Sequence, residues 1–229
     1  VEAILEGFKN AIYLLLSFDK EIYSIVGLSL YVSLASTLIS SLLAIPFGII
    51  LGIKPFKGKK IIVRGLYTMM SLPPVIVGLV IYLLISRSGP LGNLGITYTP
   101  TAMIIAQICL VTPIIAGGIY NGTKEKGEEI KNLAYTLGAN KIQTLFLLIK
   151  ELRVYIFSSI VTGYGRAISE VGAVMIVGGN IKGHTRVMTT TIAMLRNMGD
   201  YEMAIAIGIV LLSLSFIINS LLYKLQQED

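Results

Sequence analysis

The sequence predicts an all-α integral membrane protein of about five transmembrane helices, and three observations predict it. Of the 229 residues, 54% are hydrophobic and only 14% charged, against about 25% charge in an ordinary soluble domain; mean hydropathy is +0.78. Charge-free apolar runs reach the ~20 residues that a helix needs to cross the hydrocarbon core. The basic residues fall between these runs, so the net charge of +6 reads as a topology signal. A nucleic-acid footprint would need a basic stripe or an aromatic platform, and the sequence has neither.

The elements follow in order, within a single domain over 1–229. Over residues 1–18, Ile4, Phe8, Ile12 and Leu15 recur at helical spacing while Glu2, Glu6, Lys9 and Asn10 interrupt the apolar run. This predicts an interfacial amphipathic helix, with a truncated sixth span as the alternative. The wrong charge at Glu2 and Glu6 argues against a secretory leader. Spans are predicted at 22–53, 65–86, 100–120, 154–177 and 203–223. The third follows a loop marked by Pro90, Gly92 and Gly95 and starts near Pro100, a favoured first-turn position; Asn121-Gly122-Thr123 reads as its terminating turn. Gly48-x-x-x-Gly52 and Gly118-x-x-x-Gly122 are small-residue pairs that permit close helix approach. Pro73-Pro74 and Thr112-Pro113 free backbone carbonyls, as cavity-lining breaks or as packing kinks.

Orientation follows from the loop cations. Lys54, Lys57, Lys59, Lys60 and Arg64 in the first loop, Lys124, Lys126, Lys131, Lys141, Lys150 and Arg153 in the third, and Lys224 fall on one side. That side is predicted to be cytoplasmic, with the N-terminus outside and the C-terminus inside.

Little in the chain supports chemistry of its own. Cys109 is the only cysteine and His184 the only histidine, too few for an internal disulfide or a structural zinc site. A membrane-embedded hydrolase needs convergent acids, histidines or serines at depth, and Glu170 is the only acid within the spans. A secondary transporter would be supported by inverted repeats, which are not evident. Gly178-Gly179-Asn180-Ile181-Lys182-Gly183-His184-Thr185 lacks the lysine of a phosphate loop and follows a helix rather than a strand. No catalytic or metal-binding residue is therefore predicted.

Residues 128–148 are the most informative loop. Ile130, Leu133, Ala134 and Leu137 make one apolar face and Ile142, Leu145 and Phe146 another, with Gly138-Ala139-Asn140 between them where one helix ends and the next begins. Such a hairpin either docks into a partner's groove or lies on the membrane surface. Asn132-Leu133-Ala134-Tyr135-Thr136-Leu137-Gly138-Ala139 resembles the coupling loop of ABC-importer permeases. Ala134 and Gly138 fit that pattern; Asn132 and Leu133 depart from it, and the frequent downstream proline is absent. A second resemblance runs from Gly165 to Ile181 and on through Thr185-Arg186-Val187-Met188-Thr189-Thr190, which is similar to the fourth helix of tungstate-type permeases. Ser71-Leu72-Pro73-Pro74 and Ser88-Gly89-Pro90-Leu91-Gly92 also suit this group, related to molybdate and sulfate permeases.

The resemblance implies a type I ABC-importer permease fold in a prokaryotic plasma or inner membrane. It implies translocation of tungstate or a similar oxyanion, molybdate and sulfate being the alternatives. The expected partners are a second copy of the chain, two cytosolic ABC ATPase subunits that use ATP and Mg, an extracytoplasmic solute-binding protein and the lipid bilayer; nucleic acid is not expected. Asn132, Leu133, Ala134, Thr136, Leu137, Gly138, Ala139 and Ile142 would dock the ATPase, and this chain would bind no cofactor. The pathway or gate candidates are Arg166, Ser169, Glu170, Asn180, Thr185, Arg186 and Thr189. Arg166 and Glu170, four apart on one helical face, can pair; that pair lines the pathway or only braces the helix.

Overall fold

The computed structural model describes residues 20–227, with Glu6, Lys9, Asn10, Ile12 and Tyr13 before them. The interfacial helix expected over 1–18 lies, those five aside, outside the described residues. The described residues are helical with short connections and contain no strand. The helices are α1 (Lys20–Ile53), α2 (Lys59–Met70), α3 (Pro74–Ile85), α4 (Pro100–Thr136), α5 (Lys141–Glu151), α6 (Arg153–Ile168), α7 (Gly172–Gly178), α8 (Met188–Met198) and α9 (Tyr201–Gln227), with a 3₁₀ turn at Gly92–Leu94. Helices α1, α4 and α9 are each long and apolar enough to cross a membrane, and two bent pairs, α2–α3 and α6–α7, raise the total to as many as five.

The α1–α4 pair is the backbone of the bundle. The buried side of α1 carries Ser29, Ser33, Ser36, Thr37, Ser40 and Ser41. The hydroxyls of Ser29, Ser33, Thr37 and Ser41 each donate to the carbonyl one turn back, at 2.7 Å. These four hydroxyls are thus satisfied within the helix, Ser40 Oγ being buried without a partner, while the side chains stay small, which lets another helix approach. Toward the lysine-rich end, a Cβ on Gly48 would lie 2.9 Å from the Ala116 carbonyl, and one on Gly52 would lie 2.4 Å from Thr123. Gly118 and Gly122 meet Ser159 and the Tyr155 ring of α6 in the same way. Both small-residue pairs are therefore close-approach sites. The opposite face of α1 exposes Leu34, Leu38, Leu42, Leu43 and Phe47, an apolar surface suited to lipid.

Two spans are broken. Helices α2 and α3 meet at 99°, because Pro73 and Pro74 have no N–H to continue the ladder and Pro74 instead opens a new helix. Helices α6 and α7 meet at 55°. The bends adjoin: a Cβ on Gly172 would lie 2.9 Å from Val75, and one on Gly78 would lie 2.6 Å from the Cα of Ala173.

The predicted span 65–86 is formed by the two arms of the 99° bend, broken at Pro73-Pro74. Elsewhere the sequence reading is corrected. Asn121-Gly122-Thr123 does not end a helix at 120; α4 runs through it to Thr136, because Gly122 is packed against Tyr155 and Thr123 donates back to the Ile119 carbonyl at 2.8 Å. Pro113 does not break α4 either and lies buried inside it. In addition, α8 forms between the fourth and fifth predicted spans, where no helix was predicted.

Candidate functional site

The α6–α7 bend gathers the charged and polar groups at membrane depth. Helix α6 ends at Ile168, and Glu170 turns back into the bundle, where it is 3% exposed. Its Oε1 accepts from the Ala173 N–H at 3.0 Å, and Oε2 lies 3.3 Å from Arg166 Nη2. This second contact is an ion pair without hydrogen-bond geometry. The pair is asymmetric: the carboxylate is buried, whereas the Arg166 side chain is 35% exposed. Burying an acid at this depth is costly unless a cation and donors accompany it, and here it has both. Thr189 reaches in from α8 and donates to the Glu170 carbonyl at 2.8 Å.

A third helix fixes the bend. Gln107 of α4 is buried; its Nε2 donates to the Ala167 carbonyl at 3.0 Å and its Oε1 accepts from Ser36 at 2.6 Å. Ser29 accepts from the Met188 N–H at 2.8 Å and so ties the start of α8 to α1. A small cavity beside Glu170 is lined by Ser29, Gln107 and Thr189. Gln107, Ser36 and Ser29 were not among the sequence candidates. The signal was present in Gln107, an amide inside an apolar span, a placement that ordinarily marks an interhelical hydrogen bond.

Ser169 sits on the exposed side of the bend and donates to the Gly165 carbonyl at 2.8 Å. Ser71 at the other bend, Thr68 and Thr162 are also exposed. These exposed hydroxyls contrast with the exposed side of α1, which is apolar from Leu34 to Ile50.

The remaining gate candidates form a separate cluster at the far end of α7. Gly179, Asn180 and Gly183 have φ of 72°, 50° and 72°, a left-handed path that glycine and asparagine tolerate best. Thr185 pins this turn by donating to the Gly178 carbonyl and accepting from the Ile181 N–H. Arg186 lies 3.8 Å, and Lys182 2.7 Å, from the Glu21 carboxylate, which joins the turn to the start of α1. The Tyr98 ring covers Gly179, and the Tyr98 phenol donates to Tyr82 at 3.1 Å. That hydrogen bond, with a lesser contribution from desolvation, holds Tyr98 above the usual tyrosine range. The seven candidates thus divide: Arg166, Ser169, Glu170 and Thr189 lie at the bend, and Asn180, Thr185 and Arg186 in the turn after α7.

At the opposite end, α4 gives way to α5 through Leu137–Asn140. Gly138 has φ 77°, and the Ala139 N–H donates to the Ala134 carbonyl at 2.9 Å. Asn140 opens α5 with a reciprocal capping box: its Oδ1 accepts from the Gln143 N–H at 2.9 Å, and Gln143 Oε1 accepts from the Asn140 N–H at 2.8 Å. The apolar face expected for 130–137 is split. Ala134 is buried and Ile130 packs on the core, whereas Leu133 and Leu137 are exposed. With Ile142 and Phe146, also exposed, they leave an apolar knob at the tip. Asn132, Thr136 and Ala139 flank it, the Thr136 hydroxyl donating to the Asn132 carbonyl at 2.9 Å.

The sequence pattern of the binding-protein-dependent transport system inner membrane component matches residues 44–228. The chain belongs to this family. It is 54% identical over 228 residues, 100% of both chains, to the tungstate uptake system permease protein TupB of Peptoclostridium acidaminophilum. It is 36% identical over 227 residues, 99% of this chain and 95% of the relative, to the TupB of Campylobacter jejuni. A probable anion ABC transporter permease protein of Haloferax volcanii is 37% identical over 203 residues, 86% of this chain and 88% of the relative. As a member of the inner membrane component family, the chain is a multi-pass membrane permease, and its bent spans and apolar tip are parts of a transport system.

Proposed function

We propose that this chain is the membrane-spanning subunit of an ATP-driven importer that moves tungstate into the cell. The observation that carries this reading is full-length 54% identity to a tungstate uptake permease. The half-exposed Arg166 at a hydroxyl-lined bend supports an anion path, because a guanidinium and hydroxyls can donate to a passing oxyanion without holding it tightly. Glu170 lowers the local positive charge, so that Arg166 attracts an anion without trapping it.

In this reading the exposed tip of Leu133, Leu137, Ile142 and Phe146 docks a cytosolic ATPase, Gly138 sets the angle of the turn, and ATP and Mg are used by that partner. The Lys54 and Lys131 end faces the cytoplasm. The outer turn at 179–186 faces an extracytoplasmic binding protein that delivers the anion, and two copies enclose the path.

Uptake of tungstate by cells that lack the chromosomal transporter, with the cognate ATPase and binding protein supplied alongside this chain, tests the proposal. Tungstate should accumulate only when all three are present and should resist competition by equimolar sulfate. Accumulation of sulfate in its place would transfer the assignment to a sulfate permease.

A further inference from the structure

One cavity at the lysine-rich end is not used by the transport reading. It has a volume of ≈ 400 Å³ and is lined by Ile50, Ile53 and Leu145 together with Lys54, Lys131 and Lys141. The three lysines come from three elements: the residue just beyond α1, the last turns of α4 and the first residue of α5. No carboxylate lines the cavity, and among the described residues neither Lys54 nor Lys141 is ion-paired. Lys131 sits 5.9 Å over the Tyr135 ring, which leaves its ammonium free to take an anion as well.

The apolar wall decides what kind of anion fits. Ile50 is exposed and continues the apolar face of α1 one and two turns beyond Phe47 and Leu43. The cavity therefore adjoins the exposed apolar face of α1. A small oxyanion would leave the isoleucines unused. A molecule with a negative head and a hydrocarbon tail uses both walls, and lysine clusters at a membrane surface select anionic lipids in this way.

We propose that this cavity holds the headgroup of an anionic phospholipid, its phosphate among Lys54, Lys131 and Lys141 and its acyl chain along Ile50 and Phe47. The lipid would then bridge the end of α1 to α5. The proposal requires only that α1 spans a membrane and does not depend on which anion is transported.

The test uses full-length protein purified in mixed phosphatidylglycerol and phosphatidylcholine, with retained lipid counted by native mass spectrometry. Wild type should retain phosphatidylglycerol selectively. Lys54→Gln and Lys141→Gln should each weaken that retention about fivefold, the share of one lysine at a membrane surface, and the triple variant with Lys131→Gln at least about tenfold. Phosphatidylcholine retention should not change, and Lys57→Gln, outside the cavity, should behave as wild type. The single variants keep the test decisive if the triple variant folds poorly. Equal phosphatidylglycerol retention in wild type and the two single variants would overturn the proposal. So would displacement of the lipid by glycerol phosphate at matched concentration, because the apolar wall would then contribute nothing. Loss of a co-purifying protein partner with lipid retention intact would assign the lysines to that protein and also defeat it.

Discussion

At the residue scale the decisive group is Arg166, which either braces the bend through Glu170 or serves the transport path. Its partner Glu170 is buried and already accepts from the Ala173 N–H, so the carboxylate has structural work without Arg166. Arg166→Ala should lower both membrane yield and uptake, since it strands a buried charge at a cost of several kcal/mol. Adding Glu170→Gln removes the stranded charge and should restore yield. Uptake should stay low in the double variant if Arg166 attracts the anion; full recovery of uptake would reduce the pair to a helix brace. Gln107 supplies a second residue-scale prediction. Gln107→Leu leaves the Ala167 carbonyl and the Ser36 hydroxyl without their cross-helix partner, a loss of about 1–2 kcal/mol. Thermal unfolding of purified protein should shift down by several degrees, and an unchanged midpoint would mean that the bridge contributes no stability.

At the element scale the turn between α4 and α5 couples sequence to function most directly. Nothing lies within 4 Å of a Cβ built on Gly138, so a side chain there meets only the strain of φ 77°, roughly 1–2 kcal/mol for a residue other than glycine. Gly138→Trp should therefore still reach the membrane, while its ring stands beside the exposed Leu137 and obstructs any docking groove. Uptake and stimulation of the partner ATPase should fail together; normal stimulation would place the docking site elsewhere. This turn was legible in the sequence because Gly138 and Asn140 are residue types that stop and start helices. The bends were legible only in part. Pro73-Pro74 announced one, but the other has no proline, and the Glu170 carboxylate that supports the start of its second arm at the Ala173 N–H has no local sequence signature. The true end of α4 was hidden because Asn121-Gly122-Thr123 has turn composition, while the contact that keeps it helical comes from Tyr155, more than thirty residues along the chain. Glycine there serves packing against another helix, which local propensity does not register.

At the scale of the whole molecule, the exposed side of α1 from Leu34 to Ile50 is apolar, whereas Thr68, Ser71, Thr162 and Ser169 put exposed hydroxyls beside exposed apolar residues such as Tyr67, Met69 and Val75. A hydroxyl-bearing face suits another protein surface or water better than lipid, and a second copy with the path on the two-fold axis would supply both. Ser169→Cys, with Cys109 replaced by alanine, should cross-link to a dimer in membranes, and Leu38→Cys on the lipid face should not. The reverse pattern would remove the axis from this face. Composition made the membrane class legible, and the charge-free apolar runs made the approximate span count legible. The division of the site into a bend cluster and a separate turn after α7 was not legible, because Thr189 and Thr185 are neighbours in sequence and only the path of α8 back into the bundle separates them. The central claim is tested most directly in proteoliposomes that contain this chain with its cognate ATPase, the binding protein being supplied outside and nucleotide inside. ATP should drive tungstate accumulation above the external concentration and ADP should not; accumulation that proceeds equally with ADP, or that never exceeds the external concentration, would contradict the account.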